Sequence, residues 1–254
     1  MRDEAVELAY EERGKGKVVV LIHGFPFDHT IWEDVVSRLE GQARLILPDL
    51  RGFGKSPVPE GVYSMRLMAE DIALLLEKLD IQKAVIVGHS MGGYIGLAFA
   101  QAYPDHTTGL ALVTSQAGAD TPERRAGRYR LADEIKRKGL KAVVSANLER
   151  YSPNLEVRER CRPLMLSCPK KGAIAALKGM AERADMLEFL SHLQVPGVII
   201  AGGADAIVSP EKASEMAQIM PRGWMVEVPG GGHMPMFEAP EIVAQALKEL
   251  LARV

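Results

Sequence analysis

The chain has few cysteines and almost no net charge, and each of these absences excludes a class of protein. Only two of its 254 residues are cysteine, Cys161 and Cys168, which suits neither a disulfide framework nor a zinc site of about four ligands. Lysine and arginine total 31 against 33 acidic residues, so the net charge is −2. We therefore expect no metal site, no nucleic-acid partner and no binding to an anionic membrane.

Segments that target or anchor a protein are also absent from the sequence. No apolar run approaches the roughly 20 residues of a membrane span. The first ten residues, MRDEAVELAY, carry three acidic residues and no long apolar core, unlike a signal peptide. Together with two reduced thiols, these features predict a cytoplasmic protein that does not associate with membranes.

Near-continuous apolar runs alternate with helix-like segments along most of the chain. Such runs are typical of strands buried on both faces of a parallel sheet, and the alternation implies right-handed crossovers. We therefore predict an α/β fold with a doubly wound, mostly parallel sheet. Residues 5–13 and GKGK are expected to form an opening hairpin with the first buried strand. The predicted strands are 18–24, 44–50, 84–90, 109–115, 195–203 and 224–230, and the predicted helices are 30–40, 65–80, 91–104, 209–220 and 240–254.

Residues 116–192 interrupt this alternation because they are charged, helix-prone and without a convincing strand. Ligand sites of open α/β sheets lie beyond the C-terminal ends of the strands, where an insertion at this point would sit. We therefore interpret 116–192 as a helical lid on a core formed by 1–115 and 193–254. The alternative is a long crossover with a purely structural role.

The segment from Gly88 to Gly92 reads GHSMG and matches G-x-S-x-G between a predicted strand and a predicted helix. This is the context of a nucleophile elbow, in which a serine sits on a strained turn and glycines two residues away avoid collisions. The helix N-terminus below such a turn favours negative charge. Ser90 is therefore the candidate nucleophile.

A serine needs a base and an orienting acid to become nucleophilic, and the sequence offers both downstream. His233 follows the last predicted strand within VPGGGHMPMFEAPE, where three glycines let the backbone bend, so we predict that it is the general base. Asp205 follows the preceding strand and two glycines, and it completes the order Ser, Asp, His of this type of fold. Asp120, after the strand at 109–115, is the reserve candidate for the acid.

An oxyanion hole needs two backbone N–H donors, and two turns at strand ends can supply them. Met91 directly follows the candidate nucleophile. Phe25 lies in HGFP (23–26) after the first buried strand, where glycine permits close approach and proline stiffens the loop. Phe25 and Met91 are the predicted donors.

These segments together resemble the α/β-hydrolase superfamily over essentially the whole chain. HGFPFDHTIW, PDLRGFGKS (48–56), VGHSMGG (87–93), the GGAD segment and GGGHMPMFEAPE occur in the family order. Within the superfamily the chain is similar to small carboxylesterases, 3-oxoadipate enol-lactonase-like proteins and cofactor-free haloperoxidase or perhydrolase relatives. The family's first strand is shortened or missing, so the resemblance implies a sheet of seven or eight strands. Four side chains near the predicted site are candidates for substrate-binding walls: Phe27, Trp32, Met234 and Phe237.

The resemblance implies a serine hydrolase that cleaves a carboxylic ester, thioester or lactone of small size through an acyl-enzyme, without a cofactor. By the same resemblance Ser90 is the nucleophile, Asp205 the acid and His233 the base. Serine at the elbow disfavours haloalkane dehalogenase and epoxide hydrolase chemistry, which use a carboxylate nucleophile. Three alternatives stay open: hydrolysis of C–C bonds, perhydrolysis, and a ligand receptor that keeps a hydrolase pocket.

Overall fold

In the computed structural model, which describes residues 5–254, seven strands form one sheet. The strands are β1 (Tyr10–Gly14), β2 (Lys17–Ile22), β3 (Ala43–Pro48), β4 (Ala84–His89), β5 (Thr107–Val113), β6 (Gly197–Gly202) and β7 (Gly223–Val228). Their order across the sheet is β1-β3-β2-β4-β5-β6-β7, and every pair except β1 with β3 is parallel. The predicted α/β fold is confirmed, in its seven-stranded form.

Eleven α-helices connect and cover these strands within the described residues. Two short 3₁₀ turns, His29–Trp32 and Pro104–His106, precede α1 and β5. The helices are α1 (Glu33–Leu39), α2 (Met65–Lys78), α3 (Met91–Ala102), α4 (Pro122–Lys138), α5 (Lys141–Tyr151), α6 (Leu155–Ser167), α7 (Lys170–Ala181), α8 (Leu187–His192), α9 (Pro210–Ile219), α10 (Pro235–Glu238) and α11 (Pro240–Ala252).

The predicted opening hairpin is wrong. β1 does not pair with β2, although only two residues separate them, because β3 lies between the two strands in the sheet. β1 runs antiparallel to β3, with Tyr10 opposite Pro48 and Gly14 opposite Arg44. A short connection therefore does not ensure pairing, since the parallel β2–β3 ladder already occupies that edge of β2.

The central strands are buried on both faces, which explains their nearly unbroken apolar sequences. All six residues of β4 and all six of β6 are buried, and burial of each aliphatic side chain stabilises the fold by roughly 1.5–3 kcal/mol. The crossovers β3 to β4, β4 to β5 and β6 to β7 run in one direction across the sheet, whereas β2 to β3 runs in the other. Because such crossovers are right-handed, helices α2, α3 and α9 cover one face of the sheet. Helix α1 covers the other face, where α11 packs against α1.

Helices α4 to α8 all lie between β5 and β6. α4 packs against α7 and α5, and α5 packs against α6. This group lies at the end of the sheet where the parallel strands finish, and its helices face the turn that carries Ser90 across a cavity. Within residues 5–254, no helix combines the length and the apolar character needed to cross a membrane.

Candidate active site

Ser90 occupies a sharp turn between β4, which ends at His89, and α3, which begins at Met91. Its φ of 51° and ψ of −112° fall in a region that residues other than glycine rarely adopt, at a cost of roughly 1–3 kcal/mol. A Cβ on Gly88 would lie 2.2 Å from the carbonyl oxygen of Gly92, so a larger residue does not fit there. The turn holds the Ser90 side chain at the C-terminal edge of the sheet.

Ser90, His233 and Asp205 form one chain of hydrogen bonds. Nε2 of His233 lies 2.9 Å from Oγ of Ser90, and Nδ1 lies 2.8 Å from Oδ2 of Asp205. A carboxylate only accepts, so the His233 proton is assigned to Nδ1, which leaves the Nε2 lone pair facing the serine hydroxyl. The structure thus brings together the three residues predicted as nucleophile, base and acid.

The Asp205 carboxylate is held in one orientation by the backbone of its own loop. Its Oδ1 accepts hydrogen bonds from the N–H groups of Ile207 at 2.7 Å and Val208 at 3.1 Å. The side chain is completely buried, so Oδ2 is directed at His233 without competition from bulk water. This orientation also fixes the imidazole tautomer described above.

The backbone of His233 is held from both sides. Its N–H donates to the carbonyl oxygen of Tyr151 at 2.8 Å. Its carbonyl oxygen accepts from His89 Nε2 at 2.9 Å and from Thr114 Oγ1 at 3.0 Å. Complete burial holds the pKa of His89 well below its usual value, and this neutral ring must carry its proton on Nε2 because it faces a carbonyl oxygen. His89 therefore positions His233 as a neutral donor.

Asp120, the reserve candidate for the acid, does not contact His233. Its buried carboxylate instead pairs with Arg128, with Arg183 at 2.6 Å and with Arg124 at 3.3 Å. Burial tends to raise the pKa of Asp120, but the hydrogen bonds and charges of Arg128 and Arg183 outweigh it and hold this pKa below its usual value. Asp120 belongs to a cluster of ion pairs and not to the Ser90 chain.

The predicted oxyanion donors, Phe25 and Met91, lie in the loops that follow β2 and β4. Met91 is the first residue of α3, and the first N–H groups of a helix have no acceptor within the helix. Phe25 lines the same cavity as Ser90, and its carbonyl oxygen accepts a hydrogen bond from the Tyr151 hydroxyl at 2.9 Å. A helix of the inserted region thus supports the loop that carries Phe25.

A cavity of about 350 Å³ opens beside Ser90 and His233. The size is typical of a site for a small ligand. Aromatic and apolar side chains form part of its wall: Phe25, Tyr94, Leu131, Tyr151, Leu177 and Met180. Polar side chains also line it, among them Arg124, Arg128, Asn147 and Arg150.

The four side chains predicted as substrate-binding walls are packed in the core and do not line this cavity: Phe27, Trp32, Met234 and Phe237. Phe27 packs against the ring of Tyr151, so it lies behind the residue that forms the wall. Trp32 packs edge-on against His89 below the turn. Proximity in sequence to the candidate base or oxyanion loop was misleading, because large apolar side chains at those positions fill the space under the strand ends.

The three arginines of the wall were not predicted as site residues. Arg124, Arg128 and Leu131 recur at intervals of four and three residues, which places them on one face of α4. The pattern was visible in the sequence. A charged helix face usually points to solvent, however, so only the packing of α4 over the sheet reveals that this face meets Ser90.

Among residues 5–254, two groups of histidine and carboxylate ligand atoms lie close enough to hold a metal ion, and both contain His29. None of their residues lines the cavity beside Ser90, and one group combines His29 with Asp28 and Asp49. His29 Nδ1 already lies 2.7 Å from Asp49 Oδ1, while Asp49 Oδ2 accepts the N–H of Lys55 at 2.8 Å. These hydrogen bonds connect the loop of His29 to the loop of Asp49, and this structural role explains why the side chains lie together.

The sheet order, the turn at Ser90 and the cavity at the strand ends agree with a known family. Residues 17–240 match the family described as alpha/beta hydrolase fold. The chain belongs to this family. It is thus a member of a family of hydrolase enzymes, and the predicted resemblance is confirmed.

Individual relatives within the alpha/beta hydrolase family cover nearly the whole chain. A thermophilic esterase from Thermogutta terrifontis, solved with malate bound, is 40% identical, with a TM-score of 0.94 over 97% of this chain and 93% of that one. The enol-lactonase from Burkholderia xenovorans LB400 is 25% identical, with a TM-score of 0.89 and 96% of each chain covered. A 2-hydroxy-6-oxo-6-(2'-aminophenyl)hexa-2,4-dienoic acid hydrolase from Metapseudomonas resinovorans is 27% identical over 98% of this chain and 88% of its own length.

Proposed function

We propose that this protein hydrolyses a small carboxylic ester, thioester or lactone through a covalent acyl-enzyme on Ser90. The observation that carries the proposal is the hydrogen-bonded chain from Ser90 Oγ through both His233 nitrogens to Asp205. The esterase at 40% identity and the enol-lactonase support ester or lactone chemistry.

In acylation, Ser90 Oγ attacks the substrate carbonyl carbon while Nε2 of His233 takes the hydroxyl proton. The carbonyl oxygen becomes an oxyanion, which the N–H groups of Met91 and Phe25 stabilise. Asp205 stabilises the imidazolium that forms. When the intermediate collapses, the bond to the leaving oxygen or sulfur breaks and His233 returns the proton to that atom.

In deacylation, water attacks the acyl carbon of the ester on Ser90. His233 Nε2 removes a proton from the water, and the same two N–H groups hold the second oxyanion. Breakdown of this intermediate releases the carboxylic acid and returns the proton to Ser90 Oγ. The strained turn at Ser90 keeps the side chain in position for both steps.

The helices between β5 and β6 act as a lid in this proposal. They supply most of the cavity wall that faces Ser90. Tyr151 links them to the site three times: its ring stacks on His233, its carbonyl accepts the His233 N–H, and its hydroxyl binds the Phe25 carbonyl. The region 116–192 therefore sets the shape of the pocket and not only the path of the chain.

Substitution of Ser90 by alanine tests the proposal directly. We expect Ser90→Ala to lower the turnover of short p-nitrophenyl esters by on the order of 10⁴-fold or more. Ser167→Ala is the control, because Ser167 is exposed on α6 and should keep the wild-type rate. Wild-type turnover in Ser90→Ala would refute the proposal.

Two other functions predict different results in turnover and labelling assays. Hydrolysis of a C–C bond is favoured by the relative from Metapseudomonas resinovorans, and it predicts faster turnover of a 2-hydroxy-6-oxo-6-aryl-hexa-2,4-dienoate than of any ester. A ligand receptor predicts that a fluorophosphonate labels Ser90 while no ester is turned over. Labelling together with ester turnover, both lost in Ser90→Ala, supports the proposed hydrolase.

A further inference from the structure

The wall of the cavity beside Ser90 is strongly unbalanced in charge. Three arginines line it, Arg124, Arg128 and Arg150, and they are named the cavity arginines below. Within residues 5–254, no aspartate or glutamate lines the same cavity. Arg124 and Arg128 project from one face of α4, whereas Arg150 comes from the last turn of α5.

Ion pairs within the protein neutralise only part of this charge. Asp120 lies behind the wall with its side chain 1% exposed, and its carboxylate is shared by Arg128, Arg124 and a fourth arginine, Arg183. Arg150 binds the carbonyl oxygen of Ala206 at 3.1 Å and has no carboxylate partner among the described residues. Three guanidinium groups therefore share one carboxylate, and Arg150 adds a further positive charge to the cavity wall.

Arg128 has more N–H donors than Asp120 can accept. A guanidinium carries five N–H donors. Arg128 uses Nε and one Nη for Asp120, and its other Nη lies 3.1 Å from the sulfur of Met180, which is a weak acceptor. Arg128 is nonetheless held with its side chain only 13% exposed. The Tyr94 side chain is a further partner of Arg128, and the cavity that Arg128 lines offers no second carboxylate.

A purely structural role explains one arginine but not three. A single pair of Asp120 with Arg183, which is 3% exposed, would tie the inserted helices to the core. Arg128 and Arg124, with side chains 13% and 29% exposed, add two partly buried guanidinium groups beside the same carboxylate. Like charges held partly out of water weaken the fold unless an anion compensates them. The surplus of charge faces Ser90, where a ligand could supply the missing negative charge.

We propose that the substrate of this enzyme carries a free carboxylate in addition to its scissile ester, thioester or lactone group, and that the cavity arginines bind it. The proposal rests on the proposed hydrolase function and names the substrate class. A guanidinium binds a carboxylate through two parallel N–H···O bonds, which orients as well as attracts it. Asp120 among the arginines favours a singly charged carboxylate over a doubly charged phosphate.

Pairs of substrates in which one member carries an added carboxylate test the proposal. One pair places the charge on the acyl side, p-nitrophenyl hexanoate against mono-p-nitrophenyl adipate. The other places it on the alcohol side, phenyl acetate against 4-acetoxybenzoate. We expect the anionic member of at least one pair to have a kcat/KM about 10-fold or more above its neutral partner, because hydrogen bonds to charged groups are the stronger ones. Equal values in both pairs would overturn the proposal.

Substitution of the less buried cavity arginines assigns the effect to them. Arg124→Gln combined with Arg150→Gln should lower the ratio of kcat/KM for the anionic substrate to kcat/KM for the neutral one by about 10-fold, because only the anionic substrate has a group that these arginines bind. Arg128 is left intact because it is more buried than Arg124 and contacts both oxygens of Asp120. Arg130→Gln is the matched control, because Arg130 is exposed on the same helix and does not line the cavity. A similar loss in Arg130→Gln would contradict a local contact.

Calorimetry separates this proposal from the hydrolase proposal. Adipate should bind Ser90→Ala more tightly than adipamide, and the arginine double variant should lose that difference. If adipate binds in this way while no ester is turned over, the anion site stands and the ester chemistry fails. If esters are turned over but adipate and adipamide bind alike, the anion site fails and the hydrolase stands. Tighter binding of inorganic phosphate than of adipate would overturn the carboxylate assignment.

Discussion

Replacement of Asp205 by asparagine should disable the site while leaving its shape intact. In the wild type, Oδ1 of Asp205 accepts the N–H groups of Ile207 and Val208, and Oδ2 accepts the proton on Nδ1 of His233. In Asp205→Asn, only the amide oxygen can continue to accept from the two N–H groups. The amide NH₂ is therefore forced toward His233, where it donates to Nδ1.

This reversal moves the His233 proton to the wrong nitrogen. With Nδ1 acting as an acceptor, the proton lies on Nε2, which then cannot take the proton of Ser90. A base held in the wrong tautomer costs on the order of 10⁴-fold in kcat. At 1.36 kcal/mol for each factor of ten, the barrier rises by about 5.4 kcal/mol. KM for a neutral ester should change little, because Asp205 does not line the cavity.

The assay is steady-state hydrolysis of a short p-nitrophenyl ester, with urea unfolding to check the fold. Asp185→Asn is a matched control, because Asp185 also accepts backbone N–H groups, from Leu187 at 2.9 Å and Ala119 at 3.1 Å, but lies outside the hydrogen-bonded chain. We expect Asp185→Asn to keep the wild-type kcat. A folded Asp205→Asn protein with more than about a tenth of the wild-type kcat would refute the tautomer argument and the role of Asp205.

Three further perturbations follow from the contacts around the site. Tyr151→Phe leaves the buried carbonyl of Phe25 without its donor, so the unfolding free energy should fall by about 1–3 kcal/mol. The kcat should fall by a larger factor than KM rises, whereas unchanged kcat and stability would contradict a supporting role of Tyr151 for the Phe25 loop. Gly92→Ala places a Cβ 2.3 Å from the carbonyl oxygen at the end of β2, so phosphonate labelling of Ser90 should slow sharply even where circular dichroism shows a folded protein, and labelling at the wild-type rate would contradict the steric argument. The hydrogen bond to Asp49 raises the pKa of His29 in the folded protein. The stabilisation is therefore complete below about pH 6.5, the pKa of an unperturbed histidine, and it is lost as pH rises through the folded pKa. His29→Gln should therefore reduce the unfolding free energy more at pH 6 than at pH 9, and the opposite trend in urea titrations would refute it.

The buried strands could be predicted because each carries its own signal. A strand such as β4 has six buried residues in a row, and an unbroken apolar run needs no knowledge of its neighbours to be recognised. Pairing carries no such local signal. β1 and β2 are adjacent in sequence, yet β3 lies between them in the sheet. β3, which follows β2 after 20 intervening residues, pairs with the edge of β2 that a hairpin with β1 would need.

The residues of the predicted triad could be named in advance because turn chemistry is local. Gly88 and Gly92 mark a turn too tight for a side chain, and the loops with Asp205 and His233 follow strands whose ends must meet at one edge of a parallel sheet. The walls of the cavity could not be predicted in this way. They come from α4, α5 and α7, whose charged faces look like solvent-exposed surface until the helices are placed over the sheet.

Local patterns were enough to predict the class of fold, the strained turn at Ser90 and the order in which an acid and a base follow it. These features depend on steric limits and apolar runs within a few consecutive residues. The packing of the folded chain was needed to show that Asp205 and not Asp120 contacts His233, and that Phe27 and Trp32 lie in the core. The physical reason is that hydrogen bonds, ion pairs and cavities join residues far apart in the chain, so their partners are chosen by how the helices pack and not by any local pattern.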